Sequence, residues 1–99
     1  MIIETTPVEY QPSVEVFHWT IVKLKDKDGN VSEHVAGHED YSYARVSTAI
    51  QEQGEGFAVT ASGRKYLLKG PEAKHPTRNA AYVLEAFKRI NGLESVENE

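Results

Sequence analysis

Residues 57–92 constrain the fold of this chain most strongly, because they contain its clearest helix signals. Thr77 follows a proline and suits the N-cap position, since its hydroxyl oxygen can accept a hydrogen bond from a free backbone amide. Asn91 and Gly92 form the matching stop signal, with glycine suited to the left-handed position beyond the last turn. The sequence therefore predicts a helix over residues 77–91.

The predicted helix has one apolar side. Its apolar residues recur every three or four positions, at Ala80, Val83, Leu84, Phe87 and Ile90. Lys88 and Arg89 occupy the last turn, where positive charge complements the helix dipole. Leu93 is expected to fold back onto the helix beyond the cap. The apolar side is therefore expected to pack against the rest of the chain.

A β-hairpin is predicted just before the helix. Two runs of strand-forming residues, 57–61 and 64–68, flank the dipeptide at residues 62–63. A two-residue loop with glycine suits a tight hairpin, because glycine reaches positive φ without a steric clash. Such a loop pairs Val59 with Tyr66. The apolar face of this hairpin is then expected to consist of Phe57, Val59, Tyr66 and Leu68.

A strand and its return strand are predicted upstream. Residues 14–25 are rich in β-branched and aromatic side chains and are apolar on both faces, which indicates a central strand covered on both sides. An Asp-Gly turn then leads to a return strand over residues 31–36. A two-residue loop pairs Val22 with Val35, whereas a three-residue loop shifts the pairing by one residue.

Residues 41–51 are predicted to form a third long strand. One of its faces is apolar. The other face is expected to be partly exposed and carries Tyr41, Tyr43, Arg45 and Ser47. A Gly-rich turn connects this strand to the hairpin described above.

These elements predict an α+β fold, an antiparallel β-meander of about five strands, twisted or partly barrel-like, with one C-terminal helix packed against it. An open sheet with a helix is the alternative. Ninety-nine residues suffice for one domain. The expected organisation is an extended lead-in over residues 1–13, a single α+β domain over residues 14–93 and an acidic disordered tail over residues 94–99.

The composition excludes several kinds of chemistry and location. There are no cysteines, which excludes disulfides, thiolate catalysis and cysteine-bound zinc. No apolar run approaches the roughly 20 residues of a membrane span. The first residues also lack the basic start and apolar core of a secretory signal. A cytoplasmic protein without a membrane partner is therefore the expectation.

The sequence contains no recognisable catalytic motif. No serine lies in a Gly-x-Ser-x-Gly elbow, and residues 54–56 lack the third glycine and following helix of a dinucleotide fingerprint. His34 and His38 lie near acidic residues and are the candidates for a metal site. A glycine and a strand end separate them, so they do not share a helix face. We therefore expect no enzyme activity, no cofactor and no metal.

Charge is unevenly distributed along the chain, although the net charge is only −4. Residues 1–60 contain ten acidic and four basic residues, whereas residues 61–90 contain seven basic and two acidic ones. The candidate partner- or anion-binding residues are cations and a histidine of this basic block, with two tyrosines that could stack on bases: Arg64, Lys65, Lys69, Lys74, His75, Arg78, Tyr41 and Tyr43. Alternatively, these cations neutralise the acids of residues 1–60 across the fold.

Two functions are compatible with these features. The favoured one is a small non-enzymatic protein-interaction module, such as an inhibitor, adaptor or accessory protein of the kind carried by phages or mobile elements, because a divided charge surface can steer a protein partner. The alternative is a binder of nucleic acid or a phosphorylated ligand through residues 64–78, where the free amides of the helix start add to the positive potential. Dedicated nucleic-acid-binding domains are usually basic overall, which favours the first function.

Overall fold

The computed structural model describes residues 12–39 and 43–96 and has an α+β fold. Its elements, in chain order, are β1 (Ser13–Lys25), β2 (Val31–His38), β3 (Ala44–Val46), β4 (Ile50–Gly54), β5 (Phe57–Thr60), β6 (Lys65–Leu68), α1 (Arg78–Asn91) and β7 (Glu94–Ser95). The predicted fold class is confirmed: a mostly antiparallel sheet packs against one helix near the C-terminus. Most of the predicted lead-in over residues 1–13 lies outside the described residues, and Ser13 already belongs to β1.

The sheet is open and has the strand order β3-β2-β1-β6-β5-β4, with β7 paired to β1. In the described residues it has seven strands rather than about five, and it is not a simple meander, because β6 crosses back to pair with β1 in parallel. β3 and β4 lie at opposite ends of this order, yet only residues 47–49 connect them. Such a connection spans at most about 14 Å. The sheet must therefore curl until its two ends approach each other.

The predicted long strand over residues 41–51 is wrong, because the chain turns a corner between β3 and β4. Ser47 makes this corner: its N–H donates to the Val35 carbonyl at 2.8 Å, and its hydroxyl oxygen accepts the Val35 N–H at 2.8 Å. Arg45 and Ser47 are buried, so the face that carries them is not exposed as predicted. Tyr41 lies outside the described residues.

A β-bulge at His18 divides β1 into two halves. The regular pairing with β2 is interrupted between Phe17 and Thr20, and His18 has a left-handed φ of 50°. Before the bulge the even-numbered side chains Val14 and Val16 point into the curl of the sheet. Since a bulge adds one residue to a strand, the face of every later residue is reversed. The two continuous faces predicted for residues 14–25 are therefore exchanged in the middle of the strand.

Two hydrophobic clusters result from this exchange. The first fills the inside of the curl and consists of Val14, Val16, Val35, Ala58, Tyr66 and Leu68, with Trp19, Ile21 and Ile50 packed against it. The second lies between the sheet and α1 and consists of Leu24, Ala36, Val46, Leu84 and Phe87, with Val22, Val83 and Leu93 packed against it. The second half of β1 is thus covered on both sides, as predicted for a central strand.

The helix forms where the sequence predicted it. The Thr77 hydroxyl oxygen accepts the Ala80 N–H at 3.2 Å, and Gly92 ends the helix with a left-handed φ of 66°. The Leu93 N–H donates to the Lys88 carbonyl at 2.8 Å, which turns Leu93 back towards the second cluster. One member of the predicted apolar stripe is misplaced, since Ile90 is 45% exposed.

The β5–β6 hairpin has a different register from the predicted one. Its loop has three residues, 61–63, and Gly63 at the third position has a left-handed φ of 91°. Val59 therefore pairs with Lys65 instead of Tyr66. This one-residue shift exchanges the two faces of β5 relative to β6, so that Phe57 and Val59 lie on the outside of the sheet. The buried face carries Ala58, Thr60, Tyr66 and Leu68.

The β1–β2 hairpin follows the same rule. Val22 pairs with His34, as expected for the three-residue alternative, and Gly29 occupies the third loop position with a φ of 87°. A type I turn followed by a left-handed glycine is a common three-residue hairpin loop. The glycine thus sets the loop length in both hairpins.

The edge of β1 that faces away from β2 is covered along its length. Beyond β6, the Ala73 N–H donates to the Trp19 carbonyl at 2.8 Å, and the Glu72 carboxylate accepts the Ile21 N–H at 3.1 Å. At its end, β1 pairs with β7. The prediction of a disordered tail over residues 94–99 is therefore wrong for β7, and residues 97–99 lie outside the described part.

Replacing His18 with valine is expected to lower the free energy of unfolding by about 1–2 kcal/mol, because a β-branched side chain fits the left-handed region poorly. Replacing it with asparagine should change stability by less than about 0.5 kcal/mol, since asparagine adopts this conformation readily. Urea unfolding of both variants measures the difference. Equal stabilities would mean that the bulge does not impose its backbone conformation on this residue.

Candidate functional site

The predicted basic block does not form one surface patch. Arg64 faces the interior of the sheet on the same side as Tyr66 and is fully buried. Lys65 alternates with it and lies on the opposite, solvent-exposed side of β6. Lys69 follows β6, and its ammonium group lies 3.9 Å from a carboxylate oxygen of Glu15. The prediction that Arg64 lies on the surface is therefore wrong. The contact between Lys69 and Glu15 agrees with the alternative in which these cations neutralise acids of residues 1–60.

The remaining predicted candidates lie near the start of α1 or beside the core. Lys74 and His75 are exposed in the loop before the helix, and Arg78 is exposed at its first position. Tyr43 is half-buried, and its ring centroid lies 5.9 Å from the guanidinium carbon of the buried Arg45. Tyr43 thus supports a buried cation, which leaves its ring poorly placed to stack on a base.

An uncovered face of the sheet brings apolar residues of three strands together. Leu67 on β6 pairs with Phe57 on β5 and with Glu15 on β1, so the three side chains form a row across the sheet. Val59 and Lys65 pair in the adjacent row. These residues point away from the first cluster, and the apolar ones are only half-buried.

Phe17 continues this apolar region on β1 and is 43% exposed. We call the region formed by Phe17, Phe57, Val59, Leu67 and Lys65 the outer sheet face. The Phe57 ring lies directly on Gly54, where an added Cβ would approach ring atom Cε1 to 2.3 Å. The Lys65 ammonium group lies 4.8 Å from the Phe57 ring centroid. The aromatic ring thus packs on a glycine and lies next to a cation.

No helix in residues 12–39 and 43–96 covers the outer sheet face, because α1 packs against β2, β3 and β7. Sequence reasoning assigned Phe57 and Val59 to the core, because the hairpin register was wrong by one residue. A left-handed glycine in a three-residue loop was the signal that could have revealed the exposed side.

A second candidate surface lies on the solvent side of α1. Residues 78, 82, 85 and 89 fall within about 60° of one another around the helix, at 100° per residue. We call Arg78, Tyr82, Glu85 and Arg89 the helix face. Tyr82 is 83% exposed, the most exposed of the large hydrophobic residues in the described chain. It was missed as a candidate, although its position opposite the apolar stripe could have identified it.

His34 has a structural role rather than a ligand-binding one. Its Nδ1–H donates to the Ser47 carbonyl at 2.9 Å, so the neutral ring accepts the Ser32 hydroxyl at Nε2, at 2.8 Å. Burial lowers the pKa of His34 below its ordinary value, and the hydrogen bond to Ser47 partly opposes this shift. The ring is therefore kept neutral and ties β2 to the corner between β3 and β4.

His38 is also engaged within the fold. Its Nε2 forms a hydrogen bond with the Thr77 hydroxyl, and its ring lies edge-on to that of His18 with centroids 6.3 Å apart. A hydroxyl beside an imidazole could suggest a nucleophile and its base. Here the hydroxyl oxygen also caps α1 by accepting the Ala80 N–H, so helix capping accounts for the pair.

Within the described parts of the chain, no three His, Cys, Asp or Glu side chains converge to hold a metal ion. Over residues 12–39 and 43–96, no helix combines the length and apolar character that crossing a bilayer requires. The outer sheet face and the helix face are candidate functional regions because their apolar and aromatic side chains are exposed or only half-buried. No protein-family model, curated protein or solved structure matches this chain.

Proposed function

We propose that this chain is a small non-enzymatic protein-interaction module, of the inhibitor, adaptor or accessory type, and that it binds a protein partner through the outer sheet face. The observation that carries this proposal is the row of half-exposed apolar side chains on adjacent strands that α1 leaves uncovered. Contiguous exposed apolar residues on a small domain commonly mark an interaction site. A cytoplasmic location, and a phage or mobile-element origin, belong to the same proposal.

The chemistry of the outer sheet face suits a protein partner. Phe17 and Phe57 supply the aromatic area that dominates the energy of many interfaces. Lys65, Lys69 and Glu15 surround the apolar row with charges of both signs, as in the polar rim of an interface. Mixed charge selects a partner of matching pattern, whereas a polyanion would meet the Glu15 carboxylate.

The alternative, binding of nucleic acid or a phosphorylated ligand through residues 64–78, has weaker support. It requires the cations of this segment to act together. Arg64 is buried in the sheet interior, and Lys69 lies beside Glu15. Retention of an oligonucleotide at low salt, with an affinity that falls steeply as salt is added, would favour this alternative.

Replacing Leu67 with aspartate is expected to weaken partner binding at least tenfold, because a charge would be buried in the centre of the apolar row. Val31→Asp is the matched control, since Val31 is exposed in the β1–β2 hairpin and outside the outer sheet face. The wild-type chain, immobilised, first retrieves a binding protein from lysate of the native host. Calorimetry then measures the affinity of that purified protein for each variant.

A second variant keeps this experiment informative if Leu67→Asp unfolds the chain. Phe17→Ser removes an aromatic side chain that is already 43% exposed, so the fold should tolerate it. Thermal unfolding establishes that each variant is folded. The proposal fails if both variants bind the retrieved protein as tightly as Val31→Asp does.

A further inference from the structure

We propose that the helix face is a separate docking surface for an acidic amphipathic helix of a protein partner. This inference goes beyond the outer sheet face and rests on different residues. Its first support is the uncompensated charge on α1. Among the described residues, neither Arg78 nor Arg89 forms an ion pair, whereas Glu85 is held by Lys88 at 2.8 Å. The two arginines are therefore the charges of this face that remain to be matched.

Tyr82 lies between the two arginines and is 83% exposed. Tyrosine and arginine are the side chains most enriched, with tryptophan, among residues that dominate binding energy. Each offers a large planar surface together with hydrogen-bond donors. A tyrosine this exposed contributes little to the folded core. Contact with a partner would bury the ring, which the fold itself leaves in solvent.

The shape of the helix face indicates the shape of its partner. Its four residues form a stripe only about 60° wide that runs along the helix axis. Arg78 and Arg89 are about 16 Å apart along this axis, with Tyr82 about 6 Å from Arg78. A narrow straight stripe of this length fits one side of another helix.

The spacing specifies the partner's chemistry. In an antiparallel helix, carboxylates eleven residues apart would face Arg89 and Arg78, and an apolar residue seven positions after the first carboxylate would face Tyr82. The antiparallel direction is also favoured by the two helix dipoles. The partner is therefore expected to carry an acidic stripe with one apolar residue inside it.

A nucleic acid fits this surface less well. Duplex DNA carries a negative charge for about every 1.7 Å of its axis, so several phosphates would lie along the stripe. Only two arginines are available to meet them, and the Glu85 carboxylate lies between these arginines on the same stripe.

A charge exchange tests the docking surface directly. The probe is a synthetic alanine-rich helical peptide with glutamates eleven residues apart and a leucine at the seventh position after the first. Fluorescence anisotropy at low salt should show binding to the full chain. The variant Arg78→Glu/Arg89→Glu should bind this peptide at least tenfold more weakly and should bind the matching lysine peptide instead. Lys27→Glu, in the exposed β1–β2 loop, is the control and should behave like the wild type.

Two further measurements decide the assignment. Tyr82→Ala should weaken binding of the glutamate peptide about tenfold, whereas Phe17→Ser, which the fold should tolerate, leaves it unchanged. This difference separates the helix face from the outer sheet face. The proposal is overturned if the glutamate and lysine peptides bind the wild type equally, if the charge exchange does not reverse the preference, or if a DNA duplex binds more tightly than the glutamate peptide.

Discussion

Replacing Phe87 with alanine is expected to lower the free energy of unfolding by about 3–5 kcal/mol. Phe87 is the largest side chain by which α1 contacts the sheet, and it packs among Leu24, Ala36 and Val46. Its ring also lies edge-on to that of His34, with centroids 5.3 Å apart. Removing the ring leaves a cavity between the helix and the sheet, since the strands on one side and the capped helix on the other can collapse only partly.

The measurement is a urea titration followed by far-UV circular dichroism, in which the midpoint should fall while the slope stays unchanged. Ile90→Ala is the matched control, because Ile90 lies on the same helix and is 45% exposed. It should change stability by no more than about 0.5 kcal/mol. Since domains are stable by about 5–15 kcal/mol in total, this loss would be a large fraction of the free energy of unfolding. Equal losses in the two variants would mean that α1 does not close the core.

The helix could be predicted because its signals are local. The Thr77 cap, the apolar stripe and the Gly92 stop are each encoded within a few residues, and the structure contains all of them. The fold class followed from the same kind of signal, since alternating strand runs before a single helix leave few architectures. The parallel pairing of β6 with β1 was not predictable, because no local pattern relates two strands some fifty residues apart.

The outer sheet face was missed for a different reason. Its residues were known to be apolar, but a one-residue difference in loop length decides whether Phe57 faces the core or the solvent. Arg64, by contrast, shares the buried face of Tyr66 on β6 in either register, and only its charge suggested a surface position. The bulge at His18 acts similarly to the loop. Histidine is enriched among residues with positive φ, but such residues are uncommon, so a single histidine within a strand run does not predict a bulge. Errors of a single residue in register thus changed the candidate site more than the fold.

The two proposed surfaces lie on parts of the described chain that its core does not use. The side chains inside the curl of the sheet and on the inner side of α1 pack in the two hydrophobic clusters of the core. His34 and His38, the only metal candidates that the sequence offered, are engaged in hydrogen bonds that hold the corner between β3 and β4 and the start of α1. Among the described residues, the outer sheet face and the helix face are the two surfaces that we propose for binding.

Replacing Arg45 with alanine is the second large expected effect, a loss of about 3 kcal/mol in the free energy of unfolding. Arg45 is only 1% exposed. Its guanidinium donates to a Glu39 carboxylate oxygen at 2.9 Å and lies 5.5 Å from the centroid of the fully buried Tyr66 ring. The substitution removes the ion pair and the cation–π contact, and it leaves a cavity against Tyr66.

Two further variants identify which part of this arrangement matters. Arg45→Lys keeps the charge but loses the flat guanidinium that stacks on Tyr66, so it should recover only part of the lost stability. Arg45→Met combined with Glu39→Gln should be more stable than the sum of the single effects predicts, because each single change leaves a charged partner behind in a partly buried site. Additive losses in this double-mutant cycle, measured by urea unfolding, would show that the packing of Arg45 rather than its pairing with Glu39 stabilises the fold.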